Sequence, residues 1–158
     1  MVHIRTAARA DIPLILELIR ALAEYEKLAD MCVATVEKLD ASLFGQRPYA
    51  EAIIGEWDGA PAGFALYFHN YSTFLAQPGI YLEDLFVKPE FRGNGIGKAL
   101  LIRLAQIAEE RGCGRVEWSV LDWNEPSIGF YKKLGARALD DWTIFRVAGP
   151  DLAKLARG

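Results

Sequence analysis

The sequence has little of several features that would mark a special class of protein. Among its 158 residues are only two cysteines, Cys32 and Cys113, which match no metal-ligand spacing and imply neither a disulfide framework nor a zinc site. No apolar run approaches the roughly 20 residues of a membrane span, and residues 1–11 lack the apolar core of a signal peptide. The net charge of −3 shows no basic excess for nucleic acid. We expect a cytoplasmic protein with no metal, nucleic-acid or membrane partner.

What is present is typical of one globular domain covering residues 1–158, with 52% hydrophobic and 25% charged residues. Hydrophobic periodicity predicts an α/β fold, in which a mixed, mostly antiparallel sheet of about seven strands is flanked by about four helices. The predicted strands are Val2–Thr6, Ala50–Trp57, Gly63–Asn70, Ile80–Val87, Arg115–Leu121, Ala136–Leu139 and Trp142–Val147. The predicted helices run from an N-cap at Asp11 to about Lys27, over Val36–Leu43, from the glycine turn to Gly112, and from an N-cap at Asn124 to about Leu134. Asp58-Gly59 is expected to begin the turn after the second strand.

The segment Tyr81–Lys98 is the most informative part of the chain. An apolar strand ends at a proline and is followed by Arg-Gly-Asn-Gly-Ile-Gly, which opens directly into an amphipathic helix. Such a turn aims backbone N–H groups and the positive end of a helix dipole at one point, which favours an anion such as a pyrophosphate. A tight strand-to-helix turn that only needs positive φ is the plainer interpretation.

The residues of this glycine-rich segment match neither of two common nucleotide-binding motifs. A P-loop would need glycine where Arg92 stands, and serine or threonine where Ala99 follows Lys98. A dinucleotide fingerprint counted from Gly93 would need glycine at Lys98.

The pattern that remains, Arg92-x-x-Gly95-x-Gly97, resembles the acyl-CoA pyrophosphate loop of the Gcn5-related N-acetyltransferase superfamily. Further segments resemble its diamine and polyamine branch, which includes spermidine/spermine and thialysine acetyltransferases. These segments are Leu22–Leu28, Tyr81–Asp84, Pro89–Gly93, Val120–Asn124 and Phe130–Ala136. The resemblance therefore covers nearly the whole chain.

This resemblance implies acetyl-CoA as cofactor and a strand pair that splays apart to admit it. The implied cofactor-binding residues are Leu85, Phe86, Val87, Arg92, Gly93, Asn94, Gly95, Ile96, Gly97, Lys98, Asn124, Glu125, Pro126 and Ser127. The implied activity is acetyl transfer, by direct attack on the thioester, to the primary amine of a small diamine, polyamine or thialysine-like amino acid.

Two residues match the catalytic positions of that family. Tyr131 matches the proton donor to the coenzyme A thiolate, although an aromatic residue there could simply anchor its helix. Glu83 matches the carboxylate that contacts the amine and relays its proton through water; the alternative is a surface carboxylate beside a turn. Because Glu83 and Asp84 are adjacent on a strand, we expect their side chains to point to opposite faces.

The small cationic amine is expected to meet a scatter of carboxylate and aromatic side chains. The implied substrate-binding residues are Tyr25, Glu26, Glu83, Glu117, Trp118, Ser119 and Asp141. Trp123 and Trp142 are interpreted as core or dimer-interface residues, and the resemblance implies a homodimer. Acetylation of a protein or peptide, and a non-catalytic acyl-CoA-binding module, are the alternative functions.

Overall fold

The computed structural model describes all residues from 1 to 158 and contains five strands and five α-helices. The strands are β1 (Val2–Thr6), β2 (Glu51–Trp57), β3 (Ala60–Ser72), β4 (Gln77–Val87) and β5 (Val116–Trp118). The helices are α1 (Ile12–Tyr25), α2 (Val36–Phe44), α3 (Ile96–Glu110), α4 (Glu125–Lys133) and α5 (Gly149–Ala156). No helix has the length and apolar character needed to cross a membrane. The α/β class is confirmed.

The chain forms two compact units, residues 1–119 and 120–158. The first unit holds one sheet in the order β1-β2-β3-β4-β5, in which β1 to β4 are antiparallel neighbours and β5 runs parallel to β4. Asp58 and Gly59 join β2 to β3 with φ of 47° and 84°, as a two-residue hairpin turn requires. The predicted Asp-Gly turn is therefore confirmed.

Apolar side chains cover both faces of this sheet. On one face, Ile15, Leu18 and Leu22 of α1 pack in a buried cluster with Phe64 of β3 and Phe86 of β4. On the other face, α3 packs against the middle of β2.

Gly55 of β2 makes that close packing possible. A Cβ added to it would lie 2.8 Å from Cγ2 of Ile96. The missing side chain lets α3 approach the sheet and fixes where the N-terminus of α3 lies.

The helix ends follow local sequence signals, with one difference. Asp11 occupies the N-cap position of α1, but its side chain does not cap that helix. It accepts hydrogen bonds from the Arg5 guanidinium at 2.8 and 2.9 Å and from the Ala8 N–H at 2.7 Å instead. A guanidinium offers a bidentate, charge-assisted partner, which an N-cap N–H cannot match.

The second unit corrects two strand predictions. Residues 136–148, which include the predicted strands Ala136–Leu139 and Trp142–Val147, contain no strand, and α5 follows them. The alternation of apolar and polar residues there is real, but a strand exists only where a ladder partner is hydrogen-bonded to it. The strand predicted over Arg115–Leu121 is likewise shorter, and covers Val116–Trp118.

Candidate active site

The glycine-rich turn between β4 and α3 forms a backbone cradle. Gly93 and Gly95 have φ of 84° and 81°, and a Cβ at either would meet no atom within 4 Å. Glycine is therefore needed for the left-handed conformation rather than for space. Gly95 is the N-cap of α3 and no side chain caps the helix, so the N–H groups of Ile96, Gly97 and Lys98 have no partner within it. Together with the helix dipole, they favour an anion.

Arg92 and Asn94 brace this turn. The Arg92 Nε donates to the Val87 carbonyl at 2.9 Å, and its guanidinium carbon lies 5.3 Å from the ring centroid of Tyr25 and 5.5 Å from that of Phe86. The Asn94 side-chain amide donates to the Phe91 carbonyl at 3.0 Å. Arg92 thus connects the end of α1, the end of β4 and the turn.

Strand β4 extends beyond the end of its parallel partner, β5. The β4–β5 ladder joins Ile80–Leu82 to Val116–Trp118 and ends there, whereas β4 continues to Val87. On its other edge β4 stays paired with β3 through Gly63 and Val87. A strand that is hydrogen-bonded to a neighbouring strand along one edge only can bind an extended ligand along the other edge. The ligand then pairs with the strand backbone as an added strand would.

A β-bulge interrupts the β3–β4 ladder at Glu83. Leu82 pairs with Tyr67 and Asp84 pairs with Leu66, so Glu83 is an extra residue with no opposite partner on β3. Since paired residues share a face, Asp84 lies on the face of Leu66, which packs against the α1 cluster. The regular alternation of side chains along β4 is therefore interrupted at Glu83.

Three carboxyl groups gather at this bulge. Lost hydration, and then the charges of Glu83 and Glu26, raise the pKa of Asp84 to about 7. Lost hydration, and then the charge of Glu83, raise the pKa of Glu26 above its ordinary value. Glu83 itself is exposed, and Glu26 and Asp84 are partly buried. We call Glu26, Glu83 and Asp84 the carboxyl cluster.

The carboxyl cluster lies where α1 ends. Glu26 is the C-cap of α1, and its neighbour Tyr25 lies under the guanidinium of Arg92. No group of three or more His, Cys, Asp and Glu side chains has a geometry that could hold a metal ion. Ionised carboxylates only accept hydrogen bonds, and an ammonium group offers three N–H donors to such a cluster.

The predicted substrate residues on β5 have other partners in the first unit. A carboxylate oxygen of Glu117 accepts from Asn70 Nδ2 at 3.0 Å and from Arg115 Nε at 2.9 Å. The Ser119 hydroxyl lies 2.9 Å from the Tyr81 hydroxyl. These contacts hold the end of β5 against β3 and β4.

The remaining predicted site residues belong to the second unit. Asn124 is buried, and its side-chain oxygen accepts from the Ser127 N–H at 3.4 Å, as predicted for the N-cap of α4. Tyr131 is partly buried on α4, 5.6 Å from Phe130 between ring centroids. Asp140 and Asp141 are exposed.

The first unit thus brings together the turn, the open edge of β4, Tyr25 and two carboxylates that the sequence had indicated. It adds Asp84, which was expected only to point to the face opposite Glu83 and was not among the predicted site residues. The one available signal was a pair of adjacent acidic residues inside an otherwise apolar strand. Such a pair is costly in a strand whose two faces are both covered by apolar side chains.

The sequence is similar to known acetyltransferases. The model of the acetyltransferase (GNAT) family matches residues 18–136. The chain is 41% identical to a thialysine N-epsilon-acetyltransferase of Bos taurus, over 98% of this chain and 97% of the relative. It is 32% identical to an L-ornithine N5-acetyltransferase of Arabidopsis thaliana, over 95% of this chain and 86% of the relative.

Among solved structures, one similar chain is an integron cassette protein from the mobile metagenome of V. cholerae. It has a TM-score of 0.83 and 27% sequence identity, with 99% of this chain and 98% of that chain covered.

Proposed function

Since the chain belongs to the acetyltransferase (GNAT) family and is an N-acetyltransferase, we propose that it acetylates the primary amine of a small diamine, polyamine or thialysine-like amino acid. The carboxyl cluster is the observation that carries this acceptor class. Two of its members, Glu83 and Asp84, lie on the strand that leads into the anion-binding turn, so one strand-turn-helix unit contributes to both a cationic and an anionic ligand. The names of the thialysine and L-ornithine acetyltransferases support the same class.

The turn and the open edge of β4 fit acetyl-CoA, which supplies an acetyl thioester when bound. The N–H groups from Gly93 to Lys98 would hold its pyrophosphate, with the exposed cations of Arg92 and Lys98 beside them. The backbone of Leu85–Val87 would pair with its pantetheine arm. Gly93 and Gly95 leave open space where side chains would otherwise stand, which supports this fit.

The amine would arrive as a cation, because an alkyl ammonium has a pKa near 10.4, about that of lysine. Glu26 and Glu83 would attract and orient it, with Tyr25 beside them. Glu117, Trp118 and Ser119 are proposed as further contacts, and Asp141 as the partner of a distal ammonium. An acceptor with two separated positive charges would gain most from such a distribution.

The proposal assigns the proton donor to Tyr131, on the strength of its match to the family position. Asn124 and the start of α4 would support the cofactor. A homodimer rests on family resemblance, and a cytoplasmic location rests on composition.

The experiment is a thiol-release assay with acetyl-CoA and a panel of acceptors. We expect saturable release with diamines, spermidine, thialysine and ornithine, and a higher KM for propylamine, which lacks a second charge. If no amine stimulates release, the proposal is wrong, and tight acetyl-CoA binding without turnover would favour a non-catalytic module. Saturation by peptides alone would move the acceptor to a protein.

A further inference from the structure

The guanidinium of Arg92 lies over two aromatic rings that belong to different elements. Its central carbon is 5.3 Å from the ring centroid of Tyr25, the last residue of α1, and 5.5 Å from that of Phe86 on β4. Its Nε donates to the Val87 carbonyl at 2.9 Å. A planar guanidinium stacks on aromatic rings, whereas the compact ammonium group of a lysine has no flat face to stack. Three contacts therefore fix the orientation of this side chain.

Lys88 makes a second connection between α1 and the segment that joins β4 to α3. Its Nζ lies 3.4 Å from a carboxylate oxygen of Glu17 on α1. Glu17 and Tyr25 are about 12 Å apart along the helix axis, so α1 is attached to this segment at two separate places. An ion pair with an exposed carboxylate contributes little to stability. The three contacts of Arg92 therefore decide where the end of α1 lies.

The side chain of Arg92 joins the two proposed ligand sites. Tyr25 is followed by Glu26, the C-cap of α1 and a member of the carboxyl cluster. Arg92 is itself followed by Gly93, the first glycine of the turn with positive φ. A cation beside the amine site repels an ammonium group, so the charge of Arg92 brings no gain to amine binding. Any gain has to come from the geometry that Arg92 imposes.

Resting on the proposed function, we propose that Arg92 is a positioning residue for the amine. By stacking on Tyr25 it holds the end of α1 beside the cofactor turn, so that Tyr25 and Glu26 are already in place when the ammonium group arrives. A ligand binds more tightly to groups that lose little freedom on binding. This role differs from that of the N–H groups of the turn, because it acts on the amine and not on the pyrophosphate.

Arg92→Lys is the decisive variant, because it keeps the charge and removes the flat face. The probe is 1,3-diaminopropane, titrated calorimetrically into protein that is saturated with coenzyme A, whose own Kd is measured for each variant. An exposed cation–π contact corresponds to about 2- to 5-fold in affinity, and we expect the Kd of the diamine to rise by that factor. In the thiol-release assay the KM should rise by a similar factor while kcat changes little. An unchanged Kd would overturn the inference.

A double-mutant cycle tests whether Arg92 acts through the ring of Tyr25. Tyr25→Phe keeps the ring, so Arg92→Lys should still raise the Kd of the diamine in that background. Tyr25→Leu removes the ring, so Arg92→Lys should have no further effect on the Kd there. An equal rise in the Tyr25→Leu background and in the wild type would mean that Arg92 acts independently of the ring, and would overturn the inference.

Arg9→Lys is the matched control. The guanidinium carbon of Arg9 lies 6.0 Å from the ring centroid of Phe44, and its Nε lies 2.9 Å from a carboxylate oxygen of Asp40, both on α2. The same substitution there should leave the Kd of the diamine at the wild-type value, and a rise equal to that in Arg92→Lys would overturn the inference.

These measurements separate the two proposals. A wild type that neither binds the diamine nor shows amine-dependent thiol release refutes the proposed function, and this inference with it. An active wild type whose Kd for the diamine is unchanged by Arg92→Lys overturns the inference alone. Unchanged circular dichroism in Arg92→Lys and Tyr25→Leu establishes that a raised Kd is not a folding defect.

Discussion

Alanine at Gly95 should weaken coenzyme A binding far more than it weakens the fold, and Gly59 offers a matched control. Both glycines have positive φ, 81° and 84°, and at both a Cβ would meet nothing within 4 Å. Gly95 caps α3 in the proposed pyrophosphate cradle, whereas Gly59 lies in the β2–β3 turn. The two substitutions therefore impose the same backbone strain at different places.

The expected magnitudes differ accordingly. Left-handed backbone costs a non-glycine residue about 1–2 kcal/mol, so each variant should lose roughly 2–8 °C in melting temperature. If the strained Gly95→Ala turn relaxes and loses one charge-assisted N–H contact to phosphate, about 1.5–3 kcal/mol of affinity goes with it. That corresponds to a roughly 10- to 150-fold higher Kd for coenzyme A.

Scanning calorimetry would measure stability, and titration calorimetry with coenzyme A would measure affinity. Gly59→Ala should show the thermal loss with wild-type affinity. Equal affinity in the two variants and the wild type would refute the assignment of the turn as the pyrophosphate site.

The other predictions concern the carboxyl cluster and the proton donor. The pKa of Asp84 is raised from 3.8 to about 7, so its contribution to stability is full below pH 3.8 and is lost as pH rises through 7. Asp84→Asn should consequently be more stable than the wild type at pH 8, by at most ~4 kcal/mol, and gain little at pH 4; urea unfolding at both values checks this. Tyr131→Phe should lower kcat by roughly 100-fold with little change in acetyl-CoA affinity. The thiol-release assay measures kcat and titration calorimetry measures the affinity; unaltered turnover would show that Tyr131 is not the acid.

Local signals accounted for the parts of the fold that the sequence predicted well. The Asp58-Gly59 turn, the cap at Asn124 and the end of α3 near Gly112 depend on a few neighbouring residues, and each is found where expected. The glycine-rich turn is equally local, because the glycine that adopts positive φ, Gly95, and the residues that start the apolar helix are adjacent in the sequence. Such features need no knowledge of what packs against them.

The features that were not predicted depend on which groups pair in the folded chain, which a local pattern does not show. The bulge at Glu83 is a change of register between β4 and β3. It lies opposite Leu66 and Tyr67, which are some 16 residues away along the chain. Asp11 was expected to cap α1, but Arg5 and the Ala8 N–H bind it instead. Apolar and polar residues alternate over Trp142–Val147 as they would in a strand, but this segment forms no strand. In each case the pairing found in the fold, or its absence, overrode a valid local preference.

The bulge also explains why the carboxyl cluster and the open strand edge occur on the same segment. A regular β4 would alternate through Glu83 and Asp84 and place one carboxyl on each face of the sheet, so no cluster could form. The extra residue puts Asp84 on the face of Leu66 and the α1 cluster, where the charges of Glu83 and Glu26 act on it, while β4 keeps its ladder with β3 up to Val87. Keeping Asp84 poorly hydrated costs stability above pH 7, and the antiparallel ladder on its other edge holds the strand against that cost. A substitution that restored regular pairing at Glu83 would therefore be expected to stabilise the sheet and to disperse the site.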